Sequence, residues 1–82
     1  MKTEKIVTVS ENSYLLTNQA GQLVKAANSF GSKISIVYDE YRLNAKSLLG
    51  MLMLKVVVGD KITITAEGDD AVDAVEALAE LI

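Results

Sequence analysis

Apolar residues fall into two spacings along this chain, and the switches between them mark out its elements. The β-branched run KIVTV at residues 5–9 predicts a first strand. Over residues 17–29 the period lengthens. Ala20, Leu23, Val24, Ala27 and Phe30 recur at helical spacing, while Gln19, Gln22, Lys25 and Ser29 lie opposite. That pattern predicts a helix, with Gly31 as its stop. Residues 33–38, KISIVY, alternate strictly and put Ile34, Ile36 and Tyr38 on one side; Asp39–Glu40 then turns the chain into residues 41–44, a hairpin. Ser47 opens a short helical run, SLLGMLMLK. After Gly59–Asp60, the strand KITITAE buries Ile62, Ile64 and Ala66, and Gly68 ends it. Asp69 or Asp70 caps a last helix, whose Ala71, Val72, Val75, Leu78, Ala79 and Ile82 form an apolar stripe opposite Asp73, Glu76 and Glu80.

The resulting order, β-α-β-β-α-β-α, predicts a two-layer α+β domain with helices set against one sheet. A chain of 82 residues is one domain, residues 1–82, and half its residues are apolar, enough for a single modest core. Gly21 inside the first helix costs about 1 kcal/mol relative to alanine. It is either a tolerated substitution or a place where another backbone approaches closely.

Composition removes whole classes of chemistry. Without cysteine there is no disulfide and no thiolate nucleophile or ligand. Without histidine, imidazole metal sites are excluded, and acid/base work near neutral pH needs a carboxylate, lysine or tyrosine with a shifted pKa. The N-terminal segment carries Glu4 and lacks a continuous apolar stretch, and no apolar run approaches the ~20 residues of a membrane helix. These features predict a soluble, cytoplasmic chain. Eight basic residues, scattered among eleven acidic ones, argue against a nucleic-acid surface. Tyr14, Tyr38 and Tyr41 are too dispersed for a base-stacking platform. Glu67, Asp69 and Asp70 cluster around Gly68, but not at the spacing of a calcium loop, and helix capping explains them more simply. No metal and no cofactor are expected.

Residues 44–54, NAKSLLGMLML, carry a more specific signal. This segment resembles the regulatory-serine segment of HPr, the phosphocarrier of the bacterial phosphotransferase system: Asn, a residue, Lys-Ser, two apolar residues, Gly, then apolar residues. The resemblance extends over essentially the whole chain. It implies a four-stranded antiparallel sheet covered on one face by helices. The family's other motif, Gly-apolar-His-Ala-Arg-Pro-Ala before the first helix, is degenerate here. The matching residues are Tyr14-Leu15-Leu16-Thr17-Asn18-Gln19-Ala20. Leu16 stands where the phosphorylated histidine belongs, Asn18 replaces the arginine and Gln19 the proline. Leucine has no lone pair to attack phosphorus, and Asn18 has no charge to balance a phosphoryl group. No catalytic residue is therefore carried over, and no enzyme activity is expected. Leu16 also cannot cap the first helix, so Thr17 or Asn18 must do so.

Two features remain as candidate sites. By resemblance, Ser47 is the serine phosphorylated by an ATP-dependent HPr kinase. From the residues alone it is a serine at a helix start, where a phosphate would face free N–H groups, and equally an N-cap that needs no kinase. The helix after it is apolar nearly all round. Such a helix is either fully buried or shows a sticky face. Leu48, Leu49 and Leu52 match positions that family members turn toward partner proteins, whereas Met51 and Leu54, a turn apart, suit the core. The implied partners are an HPr-kinase-type enzyme and a catabolite control regulator or sugar-metabolism enzyme. The nearest functional analogue is the catabolite-repression HPr-like group, which also lacks the histidine. The alternative is a scaffold that keeps the fold and uses the apolar helix to form a homodimer.

Overall fold

The computed structural model describes residues 1–16 and 19–82. Seven elements follow one another: β1 (Lys2–Thr8), α1 (Ala20–Asn28), β2 (Lys33–Tyr38), β3 (Tyr41–Asn44), α2 (Leu48–Met53), β4 (Lys61–Glu67) and α3 (Ala71–Leu81). The strands form one antiparallel sheet in the order β1-β4-β2-β3. All seven β1 residues pair with β4, and Ile34 and Ile36 of β2 lie opposite Ala66 and Ile64 of β4. Residues directly opposite in an antiparallel pair share a face. Ile34, Ile36, Ile62, Ile64 and Ala66 therefore form one continuous apolar surface, and all five are buried.

The helices close over that surface. α1 supplies Leu23 and Ala27, α3 supplies Ala71, Ala74, Val75 and Leu78, and α2 supplies Met51, all buried in the same cluster. The α+β two-layer sandwich read from the sequence is the architecture of the molecule. Details differ for physical reasons. β1 starts at Lys2 because backbone pairing with β4 extends through Lys2↔Glu67, polar positions that carry no apolar signal. In α3, Val72 is 42% exposed and Ala74 is fully buried, the reverse of the predicted stripe. The expectation favoured the larger side chain, but the close approach of α3 to the sheet favours alanine. Nothing lies within 4 Å of a Cβ built on Gly21, so that glycine does not serve a close backbone approach. The capping role expected of Thr17 or Asn18 lies outside the described residues.

Asp70 does more than begin α3. It occupies the N-cap position, yet its side chain makes no bond to its own helix. Instead its carboxylate accepts from the backbone N–H groups of Gly31 and Ser32, each at 2.9 Å, and from the Ser32 hydroxyl. The start of β2 is thereby fastened to the start of α3. The Ser32 hydroxyl and the Gly31 N–H hold the Asp70 carboxyl below its usual range, against the opposing effect of burial. Gly68 packs on the same junction at φ +150°, a conformation that favours glycine. A Cβ there would fall 2.8 Å from Ser32 Cα.

Two outcomes follow from this junction. Gly68→Ala combines a steric clash with backbone strain, each of order 1–3 kcal/mol, so urea unfolding should show a loss of at least about 2 kcal/mol. Asp70→Asn should lower the melting temperature at neutral pH. Because the folded carboxyl is depressed, its stabilisation is present above the ordinary value of 3.8 and is lost as pH falls through the folded pKa. The difference between wild type and variant should therefore shrink below pH 3.8 in melts recorded across the acid range.

Candidate functional site

The segment that carries the sequence signal folds around Asn44 and Ser47. The Asn44 carbonyl accepts from Ser47 N–H at 3.0 Å, and the Asn44 side chain accepts from Lys46 N–H at 2.9 Å. This turn delivers Ser47 to the start of α2 as its N-cap. The Ser47 hydroxyl accepts from Gly50 N–H at 3.2 Å, and the Ser47 carbonyl accepts from Met51 N–H at 3.0 Å. That is the N-cap geometry of a helix start, and it accounts for the serine by itself. Lys46 does not face the Ser47 hydroxyl. Its ammonium donates to the carbonyl of Phe30 at 2.6 Å, just past the end of α1, where a cation also suits the helix dipole.

α2 is two-sided. Met51 is 2% exposed and Leu54, its C-cap, 7%; both belong to the core. Leu48, Leu49 and Leu52 are 48%, 70% and 62% exposed, and Met53 also projects outward. A six-residue helix at the margin of a two-layer domain cannot bury both sides. The result is a contiguous apolar surface on one short element, beginning one residue after Ser47.

Leu16 lies elsewhere, between β1 and α1. It is half-buried against the core, its N–H donating to the Ser13 carbonyl at 3.0 Å. Asn18 lies outside the described residues. No cluster of carboxylates suited to a metal ion occurs among the described residues, and Asp70 is committed to Gly31 and Ser32. The sequence reading missed a cleft of about 380 Å³ between the β2–β3 hairpin and the end of α2, lined by Tyr38, Tyr41, Leu43, Met53, Leu54 and Lys55. The pairing of Tyr38 with Tyr41 across the hairpin was its available signal.

A family model described as the PTS HPr component phosphorylation site matches residues 3–82. The chain belongs to the HPr family. A phosphocarrier protein HPr from Buchnera aphidicola is 45% identical over 65 residues, 79% of this chain and 76% of that protein. An HPr-like protein, Crh, from Halalkalibacterium halodurans is 39% identical over 79 residues, 96% of this chain and 94% of that protein. Among solved structures, HPr from Bacillus anthracis superposes with a TM-score of 0.90 at 41% identity, covering 99% of this chain and 96% of that one. The catabolite-repression protein Crh of Bacillus subtilis, a dimer with swapped domains, gives 0.73 at 31% identity over 92% of this chain and 82% of that one. The chain is thus an HPr-like protein and not an enzyme.

The two sides of α2 are separable by stability. Leu48→Ala and Leu52→Ala should change unfolding free energy by no more than about 0.5 kcal/mol, as exposed sites do. Met51→Ala and Leu54→Ala should cost roughly 2–5 kcal/mol. Urea denaturation of the four variants measures this contrast.

Proposed function

We propose that this HPr-family chain is a regulatory module of the bacterial cytoplasm that binds protein partners through α2 and is switched by phosphorylation of Ser47. The observation that carries the reading is the exposed Leu48–Leu49–Leu52 surface standing directly after an N-cap serine. The resemblance of NAKSLLG to the family's regulatory-serine segment supports it. A phosphate on Ser47 would add about 1.5–2 negative charges at the end of α2 where N–H groups are free and the dipole is positive. It would also place charge at the edge of the apolar surface and so alter what docks there. The partners this implies are an HPr-kinase-type enzyme and a catabolite control regulator or sugar-metabolism enzyme.

The carrier chemistry of the family does not transfer. The chain contains no histidine. By the motif match, Leu16 and Asn18 take the places of the phosphorylated histidine and its arginine, and an aliphatic side chain at Leu16 can hold no phosphoryl group. A second reading, a self-associating scaffold, is supported by the swapped dimer of the Bacillus subtilis relative. Native mass at working concentration tests self-association, and labelling of Ser47 tests the regulator reading.

The test is phosphorylation. Incubation with an HPr kinase and labelled ATP should yield one acid-stable phosphate per chain, absent in Ser47→Ala. Incubation with Enzyme I and labelled phosphoenolpyruvate should leave the chain unlabelled. An unmodified Ser47, or an acid-labile adduct with Enzyme I, would contradict the proposal.

A further inference from the structure

We propose that the surface running from α2 into the cleft beside it is the two-fold interface of a homodimer, with a second copy of this chain as its occupant. This rests on the reading of α2 as an interaction surface, and not on phosphorylation of Ser47. It adds how the two copies register.

The surface is larger than α2. Leu48, Leu49, Leu52 and Met53 face outward, and Met53 forms one lip of the cleft that Tyr41 and Leu43 close from the hairpin side. Tyr38 and Tyr41 are directly paired across the hairpin, so their side chains leave the sheet on the same face. Tyr38 is held in place. Its hydroxyl donates to the Asp60 carboxylate at 2.8 Å, and that carboxylate also accepts from Val57 N–H at 2.9 Å. The wall is therefore fixed on the hairpin side and adaptable at Met53. Leu48, Leu49, Leu52, Met53 and Tyr41 each keep about half or more of their surface in solvent. Together they expose roughly 600 Å², against the ~800 Å² that a standard interface takes from each partner. Pairing two such surfaces removes about 1,200 Å², the area of a weak, reversible dimer.

Charge selects a second copy. Residues 47–54 carry no charge. Lys55 lines the cleft on the α2 side, while Asp39 and Glu40 join Tyr38 to Tyr41 on the hairpin side. All three are exposed. The other charged groups nearby are engaged elsewhere. Lys46 donates to the Phe30 carbonyl, Asp60 serves Tyr38 and Val57, and Arg42 lies on the opposite face of the sheet, donating to Thr65. The surface thus carries a cation on one lip and anions on the other. A segment of single sign is attracted at one lip and repelled at the other. A second copy, turned about a two-fold axis, lays its Asp39 and Glu40 against Lys55 of the first, and the symmetry repeats that match on the far side of the axis. Leu49 and Met53 of each copy then meet the Tyr41 lip of the other. Self-association and partner binding compete for one surface, so the monomer is the form that a partner meets.

Sedimentation equilibrium of the full chain at low salt tests this. Between about 10 μM and 1 mM it should show a reversible monomer–dimer equilibrium. Leu49→Ser and Met53→Ser, both at exposed sites, should each raise the dissociation constant about tenfold or more. Lys55→Glu and Glu40→Lys should each weaken the dimer. An equimolar mixture of these two variants should associate better than either alone, because Lys55 of one then meets Asp39 and Glu40 of the other. In NMR spectra of the labelled chain, dilution should shift the amides of Tyr41, Leu49, Met53 and Lys55. A chain that stays monomeric at about 1 mM, a dimer unaffected by Met53→Ser and Lys55→Glu, or a dilution response confined to β1 would each overturn the homodimer. The kinase assay on Ser47 reads the other proposal separately. A labelled chain that stays monomeric keeps the regulator and loses the dimer; a dimer whose Ser47 is never labelled keeps the dimer and loses the regulator.

Discussion

Ile62, Ile64 and Ala66 of β4 meet Ile34 and Ile36 of β2 on one face of the sheet, and α1 and α3 close over them. The other elements depend on this one-sided burial. It gives the domain a single interior whose capacity is set by the few apolar positions of short strands. In an 82-residue chain that interior fills quickly. α1 and α3 each lay a full stripe into it. α2 reaches it through Met51 and its C-cap Leu54 alone.

The functional reading follows from that limit. A helix whose inward side is satisfied by two residues, yet whose outward side is leucine and methionine, exposes apolar area that its own fold does not use. Soluble domains rarely leave such a surface contiguous without a partner. The same turn that launches α2 also fixes Ser47, through Asn44 on one side and Gly50 on the other. A phosphate added there would act on a short element whose other side is anchored in the core. The surface could thus be regulated without disturbing the sheet. The absence of histidine fits this division: Leu16 is half-buried against the core.

Most of the architecture was legible because strands and helices each have their own period. β2, β3 and β4 begin and end where the alternation does, with Asp39 at φ +54° making the hairpin turn. The two sides of α2 were legible from Met51 and Leu54 lying a turn apart. What the pattern did not reveal depends on contacts distant in sequence. Asp70 reads as a helix cap, and its carboxylate instead serves Gly31 and Ser32, almost forty residues earlier. Ala74 carries too weak an apolar signal to compete with Val72, yet small size is what the tight α3–sheet contact selects. The cleft was hidden for the same reason: its walls come from β2, β3 and the end of α2, and no local spacing joins Tyr38 to Met53.

The central claim is that Leu48, Leu49 and Leu52 face solvent in the folded monomer while Met51 and Leu54 do not. Methyl-resolved NMR with a soluble paramagnetic agent reads this directly, at a concentration where the protein is monomeric. The account predicts strong broadening of the Leu48, Leu49 and Leu52 methyl signals, with those of Met51, Leu54, Leu23 and Leu78 spared. Protection of Leu49 and Leu52 equal to that of Leu54 would mean that α2 is covered by its own chain, and would contradict the account.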